Sequence, residues 1–295
     1  MTEKTVDFAD AVRPLVELAI TEDVAIGDVT TEAIVEPGRV GEARIVAREA
    51  GVLAGLQVAE VAFRYLDAGV VFEARVQDGH TLESGQEAAR LKGELRAILT
   101  AERVALNFLG RLSGIATATS RAVHAVAGTS VRITDTRKTT PGLRLLEKYA
   151  VAAGGGENHR FGLYDMYLVK DNHIAAAGSL TEAVRRVRES GVELPLEVEC
   201  DSLEQVREAL ALSVPRILLD NMRGATLDRA LQWIGEARRS GAAVEVEVSG
   251  RVTIETLREF AKPGVDYISM GSITHSVRAF DFSLEVTACG AGARR

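Results

Sequence analysis

Cysteine is nearly absent from this 295-residue chain, where only Cys200 and Cys289 occur. Two thiols cannot build a disulfide framework, and neither stands in the paired spacing of a zinc site. No apolar run approaches the ~20 residues needed to span a bilayer. The N-terminal MTEKTVDFAD has neither the basic nor the apolar region of a secretory leader. Positive charge is scarce as well: 35 Lys and Arg stand against 42 Asp and Glu, for a net charge of −7. That balance argues against non-specific binding to nucleic acid or to an anionic membrane. A GxxxxGK[ST] phosphate loop is missing, and Gly154–Gly156 follows a helical run, not a strand. These absences leave a cytoplasmic globular protein as the expectation, long enough for one large α/β domain and a smaller one.

The first hundred residues change period repeatedly. Phe8 to Ile20 is helical in pattern, and a turn is expected at Asp28–Thr31. Val40–Arg48 alternates as a half-buried strand does, and Val58, Val61, Tyr65 and Leu66 recur at helical spacing. Val70–Val76 and Glu87–Leu95 alternate again, around a turn at Asp78–Gly85. This grammar predicts a small antiparallel α+β unit. A long helix follows, from Arg96 to about Ala127, with Arg103, Asn107, Gly110 and Gly114 on one face at i, i+4, i+7 and i+11. Two glycines on that face either tolerate solvent or admit a close neighbour.

From residue 131 onward strand alternates with helix. Apolar runs stand at Val131–Thr134, Met166–Val169, Leu194–Val198, Ile217–Leu219, Val244–Val248 and Tyr267–Met270. Thr140-Pro141 reads as a helix start, and Ser179–Glu182 and Ser202–Gln205 as capping boxes. Continuous apolar strands with intervening helices predict a parallel sheet covered by helices. The tail alternates at Phe280, Phe282, Leu284 and Val286, as a strand returning to the first domain would, and 290–295 are expected to fray.

Each apolar run ends in residues capable of chemistry: Arg137 and Lys138, Lys170 and Asp171, Glu199, Asp220 and Asn221, Ser249 and Gly250, Gly271 and Ser272. In a (β/α) barrel those ends converge on the face where substrates bind. The cations of this acidic chain are concentrated there too. Arg137, Lys138, Arg144, Lys148, His159, Arg160, Lys170 and His173 all fall within 134–173, an arrangement suited to a small polyanion. The arginines favour bidentate contact with carboxylate or phosphate. Ser249-Gly250 and Gly271-Ser272 would let backbone N–H groups approach a phosphate. Glu199 and Asp220 would chelate Mg²⁺ or bond ribose hydroxyls, or else serve as caps and salt-bridge partners. His159, His173 and His275, taken singly, read as hydrogen-bonding loop histidines. Lys170 is also a candidate Schiff-base amine.

Together these residues resemble a known family. Glu22-Asp23, Gly27–Thr31, Thr136–Arg144, Gly155–Arg160, Leu168–His173, Glu197–Glu199, Leu219–Met222, Met270–His275 and Asp281–Leu284 match quinolinate phosphoribosyltransferase over nearly the whole chain. One departure is Arg251, where the family usually has glycine after Ser-Gly. The resemblance implies an N-terminal α/β sandwich with an antiparallel sheet over 1–115, joined again by the tail 276–295. It also implies a TIM-like, incomplete seven-stranded barrel over 116–275. Quinolinate would meet Arg103 (from a partner chain), Arg137, Lys138, His159, Arg160 and Lys170. Phosphoribosyl pyrophosphate (PRPP) and Mg²⁺ would meet Glu199, Asp220, Ser249, Gly250, Gly271, Ser272 and His275, with Lys138, Lys170, Glu199 and Asp220 as the catalytic set. A homodimer with shared sites is implied. The alternatives are a related pyrophosphorylase-like protein of molybdenum-transport clusters and a Schiff-base lyase using Lys170.

Overall fold

The structure, a computed structural model, describes residues 8–289, so the expectation of a frayed 290–295 lies outside the described residues. In chain order the elements are α1 (Phe8–Val24), α2 (Val29–Ile34), β1 (Val40–Ala47), β2 (Gly51–Val52), α3 (Leu56–Leu66), β3 (Val71–Ala74), β4 (Thr81–Leu82), β5 (Glu87–Glu94) and α4 (Leu95–Ala125). There follow β6 (Arg132–Thr134), α5 (Arg144–Ala153), β7 (Tyr167–Val169), α6 (Asp171–Ala177), α7 (Leu180–Glu189), β8 (Leu196–Cys200) and α8 (Leu203–Ala211). The chain continues with β9 (Arg216–Asp220), α9 (Gly224–Arg239), β10 (Glu245–Ser249), α10 (Leu257–Phe260), β11 (Tyr267–Ser269), α11 (Ser272–His275) and β12 (Phe282–Cys289). They form two compact units. One takes the described residues through Ala118, Pro141–Gly155 and those from Val277 onward; the other takes Thr119–Thr140 and Gly156–Ser276.

The first unit holds an antiparallel sheet in the order β12-β1-β5-β3. Its central strand alternates as the sequence predicts, with Ala43, Ile45 and Ala47 fully buried. Ile45 lies opposite Leu284 on one side and Ala89 on the other. The α4 glycines prove to be sites of close approach. A Cβ on Gly110 would lie 2.7 Å from Phe280 O, and one on Gly114 closer still to Arg278 O. Phe280 N–H donates to Gly110 O at 2.8 Å.

Two local expectations are corrected. Asp28–Thr31 is not a free turn but the start of α2, where Asp28 accepts from Thr31 N–H at 2.9 Å and from Thr100 at 3.0 Å. Thr140-Pro141 opens no helix. Gly142 is left-handed (φ +80°), which breaks the helical run, and α5 begins only at Arg144. The capping boxes hold: Ser179 accepts from Glu182 N–H at 3.1 Å and Ser202 from Gln205 N–H at 3.5 Å.

The second unit carries six parallel strands in the order β6-β11-β10-β9-β8-β7. At the place of a seventh, Glu157 makes one parallel bridge to Thr134. Leu196, Val198 and Cys200 are buried on one face of β8, as Val246 and Val248 are on β10. Alternation then puts Glu197 and Glu199, and likewise Glu245, Glu247 and Ser249, on the opposite face. At the strand starts that face is already polar. Arg216 donates to Glu245 at 2.6 Å, Tyr267 OH donates to the same carboxylate at 3.1 Å, and Arg132 and Arg216 stack over the Tyr267 ring at 3.9 and 4.3 Å.

Candidate active site

Because all six strands run the same way, their C-terminal ends lie along one rim. Every strand end singled out in the sequence is on it. β7 and β8 are neighbours, and Lys170 Nζ just past β7 pairs with Glu199 Oε2 on β8. Ser249 and Asp220 are register partners in β10 and β9. Asn221 bridges these two ends: its N–H donates to Ser249 O at 2.9 Å and its amide to Asp220 Oδ2 at 2.6 Å. At the other side β6 and β11 are adjacent, and Thr274 Oγ1 donates to Lys138 O at 2.8 Å. A Cβ on Gly271 would lie 3.1 Å from both Lys138 Cδ and His275 Cδ2, so Gly271 brings those two side chains close. Ser272 opens the short α11 that ends at His275.

Arg160 and Arg137 lie close enough for their charges to act on each other. Burial, then the charge of Arg137, pulls the Arg160 pKa below its ordinary value, against Asp165, Glu197 and Glu199, which raise it. Holding two guanidiniums together needs such carboxylates, and it leaves a place where an added anion is welcome. His159 stands next to Arg160 but points into the sheet's polar face, 3.0 Å from Glu197 and 3.3 Å from Glu247. His173 caps α6, accepting from Lys170 N–H at 3.0 Å. Arg103 is an exposed residue of α4 in the first unit. Arg144 and Lys148 of α5 also belong to that unit, so the run of cations in 134–173 divides between the two.

The loop at Ser249–Arg251 is tight. Asn221 (φ +55°), Gly250 (φ +101°) and Arg251 (φ +50°) all have the positive φ of the left-handed region. Arg251 therefore adopts the backbone that a glycine would take at that position, at a cost of about 1 kcal/mol. Cys200 is fully buried and its thiol is pushed up to about 12 by burial, so it is no nucleophile.

Two groups of residues qualify as cation ligands. Glu199 and Asp220 are oxygen donors on adjacent strand ends, bound through one oxygen each to Lys170 and Asn221. That leaves a second oxygen on each, a donor set suited to Mg²⁺, which prefers one or two carboxylates completed by substrate phosphates. His159, Glu197 and Glu247 also gather ligand atoms within 4.8 Å. Sequence reasoning passed over Glu197 and Glu247 as site residues. The available signal was their period-two placement, as acids inside otherwise apolar strand runs.

Fold and rim together define the class: a barrel-type α/β protein that gathers cations, paired carboxylates and a tight Ser-Gly turn at the C-terminal ends of its parallel strands. Comparison with known proteins narrows it. Residues 28–113 match the N-terminal domain and residues 115–285 the C-terminal domain of quinolinate phosphoribosyl transferase. The nicotinate-nucleotide pyrophosphorylase [carboxylating] of Mycobacterium leprae is 46% identical over 282 residues, 94% of this chain and 98% of that protein. The probable enzyme of that name from Bacillus subtilis is 45% identical over 267 residues, 90% of each. The crystal structure of NadC from Streptococcus pyogenes superposes with a TM-score of 0.88 at 41% identity, covering 94% of this chain and 96% of that one. This chain belongs to the quinolinate phosphoribosyl transferase family. No helix among the described residues is long and apolar enough to cross a membrane.

Proposed function

We propose that this chain transfers the phosphoribosyl group of PRPP to the ring nitrogen of quinolinate, with loss of the 2-carboxylate. The products are nicotinate mononucleotide, pyrophosphate and CO₂. One observation carries the reading: a single rim of parallel strand ends collects Arg137, Lys138, Arg160 and Lys170 next to Glu199 and Asp220. Four cations suit a dicarboxylate, and two carboxylates with a tight Ser-Gly turn suit a sugar diphosphate and its metal ion.

In this reading Arg137, Lys138, Arg160 and Lys170 hold the two carboxylates and orient the pyridine nitrogen toward the ribose C1. Ser249, Gly250, Gly271, Ser272 and His275 bind the phosphates through small side chains and backbone N–H groups. Glu199 and Asp220 would hold Mg²⁺, which neutralises the departing pyrophosphate. Facing the sugar, they also stabilise the positive charge that builds at C1 as the C1–O bond breaks. The nitrogen lone pair then forms the C1–N bond. The resulting pyridinium accepts the electron pair released when the C2–carboxylate bond breaks, and a proton from solvent replaces CO₂ on the ring. Nicotinate, with one carboxylate, would leave part of the cation cluster unpaired, which is how the site excludes it. Lys170 as a Schiff-base amine fits less well, because its Nζ is already engaged with Glu199 Oε2.

Incubation with quinolinate, PRPP and Mg²⁺ should release CO₂ and pyrophosphate in equal amounts. Consumption of nicotinate with quinolinate untouched would overturn the substrate assignment. We further propose action in the cytoplasm as a homodimer in which Arg103 serves the partner's quinolinate. Mixing Arg103→Ala chains with Lys138→Ala chains should then restore one intact site per dimer, and verified heterodimers without activity would refute the sharing.

A further inference from the structure

At one side of the parallel sheet, two strands part just where their loops take on chemistry. β6 and β11 run in register as far as Ser269 opposite Thr134, and Met270 N–H donates to Thr134 O at 2.9 Å. Past that bond both chains leave the sheet, one toward Lys138 and the other into α11. A side chain takes over from the ladder there. Thr274 is 0% exposed, and its Oγ1 donates to Lys138 O at 2.8 Å.

The hydroxyl has a second carbonyl in reach, Gly271 O at 3.0 Å. That oxygen already accepts the N–H groups of Thr274 at 3.1 Å and His275 at 3.0 Å, which occupy its two lone pairs. A hydroxyl carries one proton, so distance and lone-pair supply both direct it to Lys138 O. The Lys138 backbone is held at its other end by its own loop. Its N–H donates to Thr136 Oγ1 at 3.0 Å, and Thr139 N–H closes a tight turn onto Arg137 O at 3.0 Å. The lysine side chain itself is exposed, so this backbone frame, not packing of the stem, sets where it starts. Its Cδ passes Gly271, 3.1 Å from where a Cβ on that residue would stand.

We infer that Thr274 is a positioning residue: its buried hydroxyl ties the Lys138 backbone to the Gly271–His275 turn, so that the substrate cation and the phosphate-side turn keep one arrangement. Fully buried, it touches neither substrate. The functional consequence rests on the reaction proposed above, whereas the latch between the two loops does not depend on what binds.

Valine keeps the shape of threonine without the hydroxyl, and serine keeps the hydroxyl without the methyl. Thr274→Val should raise the quinolinate Kd, read by equilibrium dialysis, about tenfold, and Thr274→Ser should leave it within about twofold. In a Lys138→Met background the same valine substitution should raise it less than about twofold, because the side chain that Thr274 places is gone. An equal rise in both backgrounds, as a merely structural role would give, or serine failing as badly as valine, would overturn the proposal. Amide hydrogen exchange reads the latch without ligand. The Lys138 and Thr139 amides should exchange at least about tenfold faster in Thr274→Val than in the unmodified protein or Thr274→Ser, and unchanged rates would refute the tie. Should Thr274→Val not fold, the unmodified protein decides: Mg²⁺ with PRPP should slow those two amides together with those of 273–276, and protection confined to 273–276 would refute the coupling. If the unmodified protein binds no quinolinate, the function reading fails, while exchange without ligand still tests the latch.

Discussion

Gly250→Ala puts the phosphate loop to a quantitative test. Gly250 has φ +101°, outside the region L-residues adopt at low cost, so alanine there carries about 1–3 kcal/mol of backbone strain. The added methyl also has nowhere to go. It would lie 2.8 Å from Asn221 N and closer still to the Asn221 side-chain oxygen. The side chain can rotate away, but the backbone cannot retreat without lengthening its 2.9 Å bond to Ser249 O, worth about 1 kcal/mol. Together these give a penalty of about 2–4 kcal/mol, placed on the segment joining the β9 and β10 ends. Part of it will appear as lost stability, several degrees in Tm. The rest should fall on PRPP binding, because the loop can relax only by leaving its phosphate-ready shape. Steady-state assays should show the PRPP KM raised at least tenfold and the quinolinate KM little changed, since Arg160 and Lys170 lie past other strands. A variant with unaltered PRPP KM and unaltered Tm would show that neither the strain nor the phosphate assignment is real.

Arg251→Gly should act in the opposite sense: at φ +50° glycine is unstrained, and Tm should rise by a few degrees, less the extra entropy of the unfolded chain. An unchanged or lower Tm would mean that Arg251 contributes more through its own contacts than it costs. Lys170→Met removes the partner of Glu199 and one substrate cation together, so kcat/KM for quinolinate should fall at least a hundredfold, with retained activity refuting its place in the site. The buried cluster of His159, Glu197 and Glu247 predicts a pH effect on stability. Burial opposes a charged His159, but Glu197 and Glu247 outweigh it and raise its pKa to about 9; burial, then the charge of Glu247, lifts Glu197 to about 7. The folded cluster therefore keeps a proton that the unfolded chain has released by pH 6.5. Stability should fall as pH rises from 6.5 to 9, by at most about 3 kcal/mol. Thermal unfolding across that range should show the decline in the unmodified protein and a flatter profile in His159→Asn; equal slopes would count against the buried proton.

The local pattern of the chain already contained much of the architecture. Alternation in Val40–Arg48 marks β1, the Ser179 and Ser202 boxes mark the starts of α7 and α8, and the apolar runs after residue 131 mark six parallel strands. Because parallel strands must end on one side, the residues that follow each run could be placed on a common rim before any coordinates. These features depend on neighbours within about four residues, which is why periodicity exposes them. What required the tertiary structure is whatever depends on partners far apart along the chain. Gly142 cuts short the helix that Pro141 promised, and α5 with Arg144 and Lys148 packs in the first unit. Arg251 takes a glycine's backbone because the β9 and β10 ends draw the loop tight. Above all, His159, Glu197 and Glu247 meet from three separate segments. Strand alternation could say that the two glutamates share a face; only sheet register and the path of residues 154–160 could bring a histidine between them.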